Sequence, residues 1–321
     1  MHQGVTWLNL MIRVAICVFM AGCTRQPASH AEEEADTRET LTPSALVNVC
    51  ALVTLKNEIK GTGFFVTKQG ESNAPVYFVT ARHVAEDLTN SFALYPRLNL
   101  IVKRVESHCA AYADIPVEKV IGSAYWHQDS RSSTDLAIFP VHNYRELIEA
   151  GMDIRPVIFP DADTCRKEAD NATRENGRGE TIGYLSKEEC KEFNVSAGYD
   201  VFMLVAQPEL YKYTSGAEFL LVIRKGAISA MPHAFVRHKY GPARLIILDC
   251  PVMGGNSGGP VFVWVDEGKG LGPEPKLLGM VSAMLPDRVI FLPGTNRPFL
   301  ENSGLSFVTP AEEVAEILRR F

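Results

Sequence analysis

Gly254-Gly255-Asn256-Ser257-Gly258-Gly259-Pro260 is the stretch whose reading decides the fold. Four glycines, an Asn and a Ser stand between two apolar, strand-like segments, Leu245 to Leu248 before and Val261 to Val265 after. Glycine tolerates φ > 0, so the backbone here can turn sharply and aim successive N–H groups into one concavity. Such a concavity suits the oxyanion of a tetrahedral acyl-transfer intermediate, and small neighbours leave Ser257 open to an approaching carbonyl.

A serine hydroxyl is a weak nucleophile and needs a base. Working outward, Ala81-Arg82-His83-Val84-Ala85 follows directly on the strand-like Val76 to Thr80. A His just past a strand end projects from a rigid rim rather than into a core. Its imidazole then needs an acceptor on the second ring nitrogen to fix tautomer and orientation. Asp135, in Ser133-Thr134-Asp135-Leu136-Ala137-Ile138, stands at the mouth of another apolar strand. Of the other histidines, His108, His127, His142, His233 and His238 lack the strand-end context of small residues, and His127 is the nearest competitor.

Together these residues resemble the trypsin-like serine peptidases of the chymotrypsin fold, in the chain order His83, Asp135, Ser257. Thr80-Ala81-Arg82-His83 is similar to the family's T-A-x-H, Asp135-Leu136-Ala137 to its D-[IL]-A, and Gly255-Asn256-Ser257-Gly258-Gly259-Pro260 to its G-[DN]-S-G-G-P. The Asn at 256, with Gly61-Thr62-Gly63-Phe64, Gly226-Ala227-Ile228-Ser229-Ala230, Asp249 and Gly279-Met280-Val281-Ser282, resembles the bacterial HtrA-type branch. HtrA proteins usually append a PDZ domain. The chain ends at Phe321, so the expectation is a protease domain without one.

The resemblance implies an all-β protein of two antiparallel six-stranded β-barrels with a C-terminal α-helix. It implies a serine endopeptidase that works through an acyl-enzyme, with His83 as base, Asp135 as its orienter and Ser257 as nucleophile. The N–H groups of Gly255 and Ser257 would hold the oxyanion. Val281, Ser282 and Ala283 would line the substrate pocket and favour small or medium apolar side chains. Pro251 stands where trypsin carries its pocket Asp, so no strong preference for Lys or Arg is expected. No metal and no organic cofactor is required, and nothing has metal-ligand spacing.

The N-terminus reads as an address. Arg13, the apolar Val14 to Ala21 and then Gly22-Cys23 form a secretory signal, and Ala21-Gly22-Cys23 resembles the bacterial lipobox. The expectation is an exported lipoprotein, acylated at Cys23 and facing the periplasm or the cell exterior. An ordinary cleaved signal and an uncleaved anchor are the alternatives. Residues 1–22 are then signal. Residues 23–44, with Glu32, Glu33, Glu34, Asp36 and Glu39, are an acidic tether, and 45–321 are the protease domain. Within it the first barrel is expected over about 45–150, a surface insertion over 161–192, the second barrel over about 193–308 and a helix over 310–320.

That last helix reads from Thr309-Pro310-Ala311-Glu312 as a capping box, with Val314, Ile317, Leu318 and Phe321 on one apolar face. Composition agrees with a globular chain: 321 residues, 46 % hydrophobic and 22 % charged, which excludes wholesale disorder. Lys+Arg 32 against Asp+Glu 38, without a basic stripe, excludes nucleic-acid binding as the main function. The expected partners are polypeptide substrates and, through the lipid, a membrane. Cys165 and Cys190 bracket the polar insertion and are the candidate disulfide.

Two rival readings share these residues. A non-catalytic binding module could use the same barrels and groove. An esterase would need its Ser between a strand and a helix, and here strands stand on both sides of the loop.

Overall fold

The computed structural model describes residues 50–55, 58–68, 74–86, 98–104, 111–116, 133–152, 154–159, 182–207, 221–231, 235–238, 240–268, 272–291 and 298–320. The expected signal, Cys23 and the tether lie outside the described residues, as do His108, His127, His233, Cys165 and Phe321. The described residues belong to one unit of the chain, Thr40–Phe321.

Six strands form the first half: β1 (Cys50–Leu55), β2 (Glu58–Thr67), β3 (Val76–Thr80), β4 (Leu98–Arg104), β5 (Ala111–Pro116) and β6 (Ala137–Pro140). They pair antiparallel in the order β6-β3-β2-β1-β4-β5. A short helix, α1 (Tyr144–Glu149), follows. The two-residue strands β7 (Val157–Ile158) and β8 (Gly183–Tyr184) then run parallel to β2, to each other and to β15 (Glu274–Phe291), linking the two halves of the sheet. Helix α2 (Lys187–Glu192) carries a full capping box between Ser186 and Glu189.

The second half contains β9 (Asp200–Ala206), β10 (Leu221–Ala230), β13 (Ile246–Asp249), β14 (Pro260–Val265), β15 (Glu274–Phe291) and β16 (Pro298–Pro310). They close in the order β9-β10-β13-β16-β15-β14 and back to β9, a six-stranded antiparallel barrel. Closure leaves the start of β15, ahead of its pairing with β16 at Gly279, as an edge, and β8 takes it. A separate hairpin, β11 (Phe235–His238) with β12 (Gly241–Arg244), stands between β10 and β13. The final helix is α3 (Ala311–Leu318). This is the mostly β, chymotrypsin-like architecture that the motifs imply.

Period-2 patterning explains the core. Val201, Met203 and Val205 of β9 and Val261, Val263 and Val265 of β14 alternate into the second barrel, with Ile228, Leu248, Val281 and Val308. The intervening Leu204 and Phe262, with Leu277 and Met280, join the cluster of the first half. These strands are buried on both faces, which is why β14 reads as an unbroken apolar run. From α3, Ala311, Val314, Ala315 and Leu318 join the same cluster, so the last helix seals the first half.

Four expectations are corrected. The helix cap at 309–312 is not a capping box. Pro310 is the N-cap without a side-chain bond, because the Thr309 hydroxyl is engaged with Ser282 and the Glu312 carboxylate with the Lys187 N–H. Residues 182–192, expected within the surface insertion, are part of the body: Ile182 and Leu185 are buried and β8 belongs to the main sheet. The strand-like segment expected over Leu245 to Leu248 is Ile246–Asp249, because the chain changes partner at Leu245, from β11 to β10 and β16. Cys190 carries a free thiol rather than a disulfide, and burial, with Glu312 nearby, pushes its pKa up to about 11.

Candidate active site

Strand β3 ends at Thr80 and the chain turns into a helical segment at 82–86, which carries His83. Asp135 sits just ahead of β6, the strand that pairs with β3, so the sheet brings the two residues together. Two bonds join them. The His83 N–H donates to Asp135 Oδ1 at 3.1 Å, and His83 Nδ1 lies 2.8 Å from Asp135 Oδ2. The carboxylate is a pure acceptor, so Nδ1 carries the hydrogen and the neutral ring presents its lone pair at Nε2. Asp135 is only 4 % exposed.

Neighbouring segments hold this pair from behind. The Ser133 hydroxyl donates to the Pro242 carbonyl on β12, and the Thr134 hydroxyl donates to Glu313 Oε2 on α3 at 3.3 Å. Tyr240, in the turn of the β11–β12 hairpin, donates its hydroxyl to Glu86 Oε2 at 2.8 Å. Arg82 pairs with Glu86 at 3.0 Å and lies 4.4 Å from the centre of the Tyr240 ring. Desolvation and the bond to Glu86 drive the Tyr240 phenol well above its ordinary range, so it stays protonated and keeps the hydrogen that it donates to Glu86.

The serine loop joins β13 to β14. Asn256 N–H donates to Met253 O and Gly259 N–H to Asn256 O, each at 3.0 Å. Gly255 and Gly258, each the third residue of one of these turns, have φ of 89°. That is the pattern of two type II turns sharing Asn256, and type II turns need φ > 0 at the third position. The Asn256 side chain staples the loop. Its Oδ1 accepts the Met253 N–H at 2.8 Å and its Nδ2 donates to the Ala206 carbonyl.

The two halves meet on one edge of β2. Pairing of β2 with β3 runs only as far as Gly63↔Thr80, where β3 leaves toward His83. One residue further, at Thr62, the serine loop takes its place: Thr62 N–H donates to Ser257 O at 2.8 Å. The Thr62 carbonyl accepts from the Thr80 hydroxyl at 2.7 Å. A Cβ at Gly61 would lie 2.7 Å from Val84, the residue after His83, and 3.1 Å from Ser257 O. The segments bearing His83 and Ser257 are thus successive occupants of the same strand edge.

Gly258 N–H donates to Val281 O at 2.8 Å. By contrast, the N–H groups of Gly255 and Ser257 have no acceptor among the described residues. Nor do the described hydrogen bonds include one between His83 Nε2 and Ser257 Oγ. The structure therefore brings His83 and Asp135 into direct contact and docks the Ser257 main chain beside them.

The expected pocket residues fare differently. The Val281 side chain belongs to the second-barrel core and the Ser282 hydroxyl turns to Thr309, both fully buried. Only Ala283 keeps exposed surface, against Ala243, Leu245 and Phe307. A bulge between Val281 and Ala283 breaks the alternation that would have aimed their side chains together. Pro251 is exposed, and its carbonyl accepts from the Arg224 guanidinium. The residues that sequence reasoning missed are Thr62, Thr80 and Tyr240. The glycines around Thr62 mark a close approach, but nothing in the sequence points to Tyr240.

Among the described residues no three His, Cys, Asp or Glu side chains converge on a point. No curated protein sequence matches the chain. It is similar in structure to the protease domain of MamO from Magnetospirillum magneticum in its apo form, at 13 % identity and a TM-score of 0.42, over 85 % of this chain and 96 % of that one. It is also similar to Deg5, at 14 % identity and a TM-score of 0.44, over 84 % of this chain and 87 % of that one. The family model described as "Trypsin-like peptidase domain" matches residues 61–272, well over half of the chain and spanning His83, Asp135 and Ser257. The chain belongs to the trypsin-like peptidase domain family.

Proposed function

We propose that this protein is a serine endopeptidase. His83 Nε2 takes the proton of Ser257 Oγ as the oxygen attacks a peptide carbonyl. The imidazolium returns that proton to the leaving amine, and water then hydrolyses the acyl-enzyme by the same route. Asp135 holds the ring and stabilises its cation. The N–H groups of Gly255 and Ser257 receive the oxyanion, a contribution of about 3 kcal/mol per donor to the barrier. The observation that carries this reading is the two-point attachment of His83 to a buried carboxylate, which leaves Nε2 free. The N–H groups of Gly255 and Ser257, which have no acceptor among the described residues, support it.

The motifs favour an HtrA-type enzyme acting on exported or misfolded polypeptides. The signal and lipobox favour an anchor by lipid on Cys23 at a membrane surface, facing the periplasm or the cell exterior. The Arg224 guanidinium against Pro251 supports a pocket that does not select Lys or Arg.

A second reading, a non-catalytic polypeptide-binding module, draws on the lack of a bond between His83 Nε2 and Ser257 Oγ. Such bonds are often long in an empty site and tighten around substrate. Labelling with a fluorophosphonate decides between the two. The endopeptidase labels, and Ser257→Ala abolishes the signal. A folded wild type that takes no label, and cleaves no denatured protein, leaves the binding module standing.

A further inference from the structure

Thr62 uses every polar group it has on the serine loop and its surroundings. It lies in the middle of β2 and is completely buried. Its main-chain N–H holds the Ser257 carbonyl and its carbonyl holds Thr80. Its hydroxyl is also saturated: it donates to Gly255 O at 2.9 Å and accepts from the Ala206 N–H at 3.0 Å. Packing alone does not explain this choice. Valine has the same shape and fits a strand better, whereas a buried hydroxyl is tolerated only where it is bonded.

We propose that Thr62 is the positioning residue for the oxyanion loop. This rests on the reading of Gly255 and Ser257 as oxyanion donors. The hydroxyl fixes the carbonyl end of the Gly255–Asn256 peptide while the Met253 carbonyl fixes its N–H end. That peptide lies between the N–H groups of Gly255 and Ser257, so locking its plane restricts how both neighbouring peptides turn. The other bond of the hydroxyl, to Ala206 at the end of β9, closes a ring with the Asn256 amide, which reaches the Ala206 carbonyl. The loop is thereby registered against both halves of the molecule through one oxygen atom.

Thr62→Val in the full chain removes that oxygen at constant shape and leaves the Gly255 carbonyl and the Ala206 N–H buried without partners. The expected result is a kcat and a fluorophosphonate labelling rate about 100-fold lower, with KM within about threefold of wild type. Amide exchange at Asn256 and Gly258 should accelerate. Thr62→Ser, which keeps the hydroxyl, should restore both readouts. Wild-type exchange and wild-type labelling per folded molecule in Thr62→Val would overturn the proposal. So would equal losses in the Val and Ser variants, which would assign the effect to the methyl. Should Thr62→Val fail to fold, Thr62→Ser against Thr62→Ala isolates the same hydroxyl. If wild type itself takes no label and cleaves no denatured protein, the endopeptidase reading falls, and the exchange comparison still decides whether Thr62 holds the loop.

Discussion

The two halves of the candidate site are built from different materials. In the first, His83 and Asp135 sit at the ends of regular elements, and the Asp135 carboxylate joins both the ring and the main-chain N–H of His83. In the second, the Ser257 loop is shaped by main-chain bonds and positive φ, with one amide side chain as staple. Chemistry carried by side chains depends on residue identity. Chemistry carried by the backbone depends on which residues permit the chain to turn and on which neighbours bind its peptide groups. Substitutions in the two halves should therefore fail in different ways, one in rate at constant stability, the other in both together.

The largest effect tests the first half. Asp135→Asn preserves shape and can still accept the His83 N–H. Its amide, however, presents a donor where the carboxylate offers only acceptors, which favours the wrong imidazole tautomer. A loss in kcat of about 10⁴ is expected, with little change in thermal unfolding. Activity within tenfold of wild type would show that the carboxylate does not orient the base. A matching loss of stability would erase the contrast between the halves.

The next effect tests the second half. A Cβ at Gly258 would lie 1.9 Å from the Thr62 carbonyl, at a φ of +89°. Gly258→Ala must therefore push the loop off β2. It should lose labelling and about 3 kcal/mol of stability together. Gly254 is the internal control: nothing lies within 4 Å of a Cβ there. Gly254→Ala should stay within about 0.5 kcal/mol of wild type. Equal tolerance at both positions, measured by unfolding and labelling, would mean that the loop is not seated on Thr62.

The same division governs what could be read from sequence. His83 and Asp135 were legible because their residue types, at strand ends, have few other uses, and Ser257 because a glycine-rich turn between two strands has a limited set of geometries. The rest depended on tertiary partners. Thr309 looked like a helix cap until Ser282 claimed its hydroxyl. Val281 and Ser282 looked like pocket wall, but their side chains go to the second-barrel core and to Thr309. The β7 and β8 strands are two residues each, too short to leave a periodic signal, and exist because β2 and β15 offer edges. Thr62 could be flagged only as a neighbour of glycines, since its four partners come from three distant segments.

The smallest effect asks whether the halves are coupled from behind. Glu313 on α3 accepts the Thr134 hydroxyl one residue before Asp135. Burial, and secondarily the nearby Glu316 and Glu312, raise its pKa, outweighing the lowering effects of Thr134 and Arg244. A carboxyl whose pKa is higher folded than unfolded is held more comfortably in its neutral form. Its ionised form destabilises the fold, so its contribution is most favourable at low pH and declines as pH rises from the unfolded pKa through the folded one. Glu313→Gln keeps an acceptor for Thr134 and removes the charge. It should be slightly more stable than wild type at pH 7 and indistinguishable at a pH low enough to protonate the carboxyl, as read from urea midpoints at the two pH values. Activity should be unchanged if the bond to Thr134 is only a structural tie. A variant that gains stability yet loses kcat, with KM constant, would show that α3 positions Asp135 through Thr134. The first half of the site would then depend on the C-terminal helix as the second depends on Thr62.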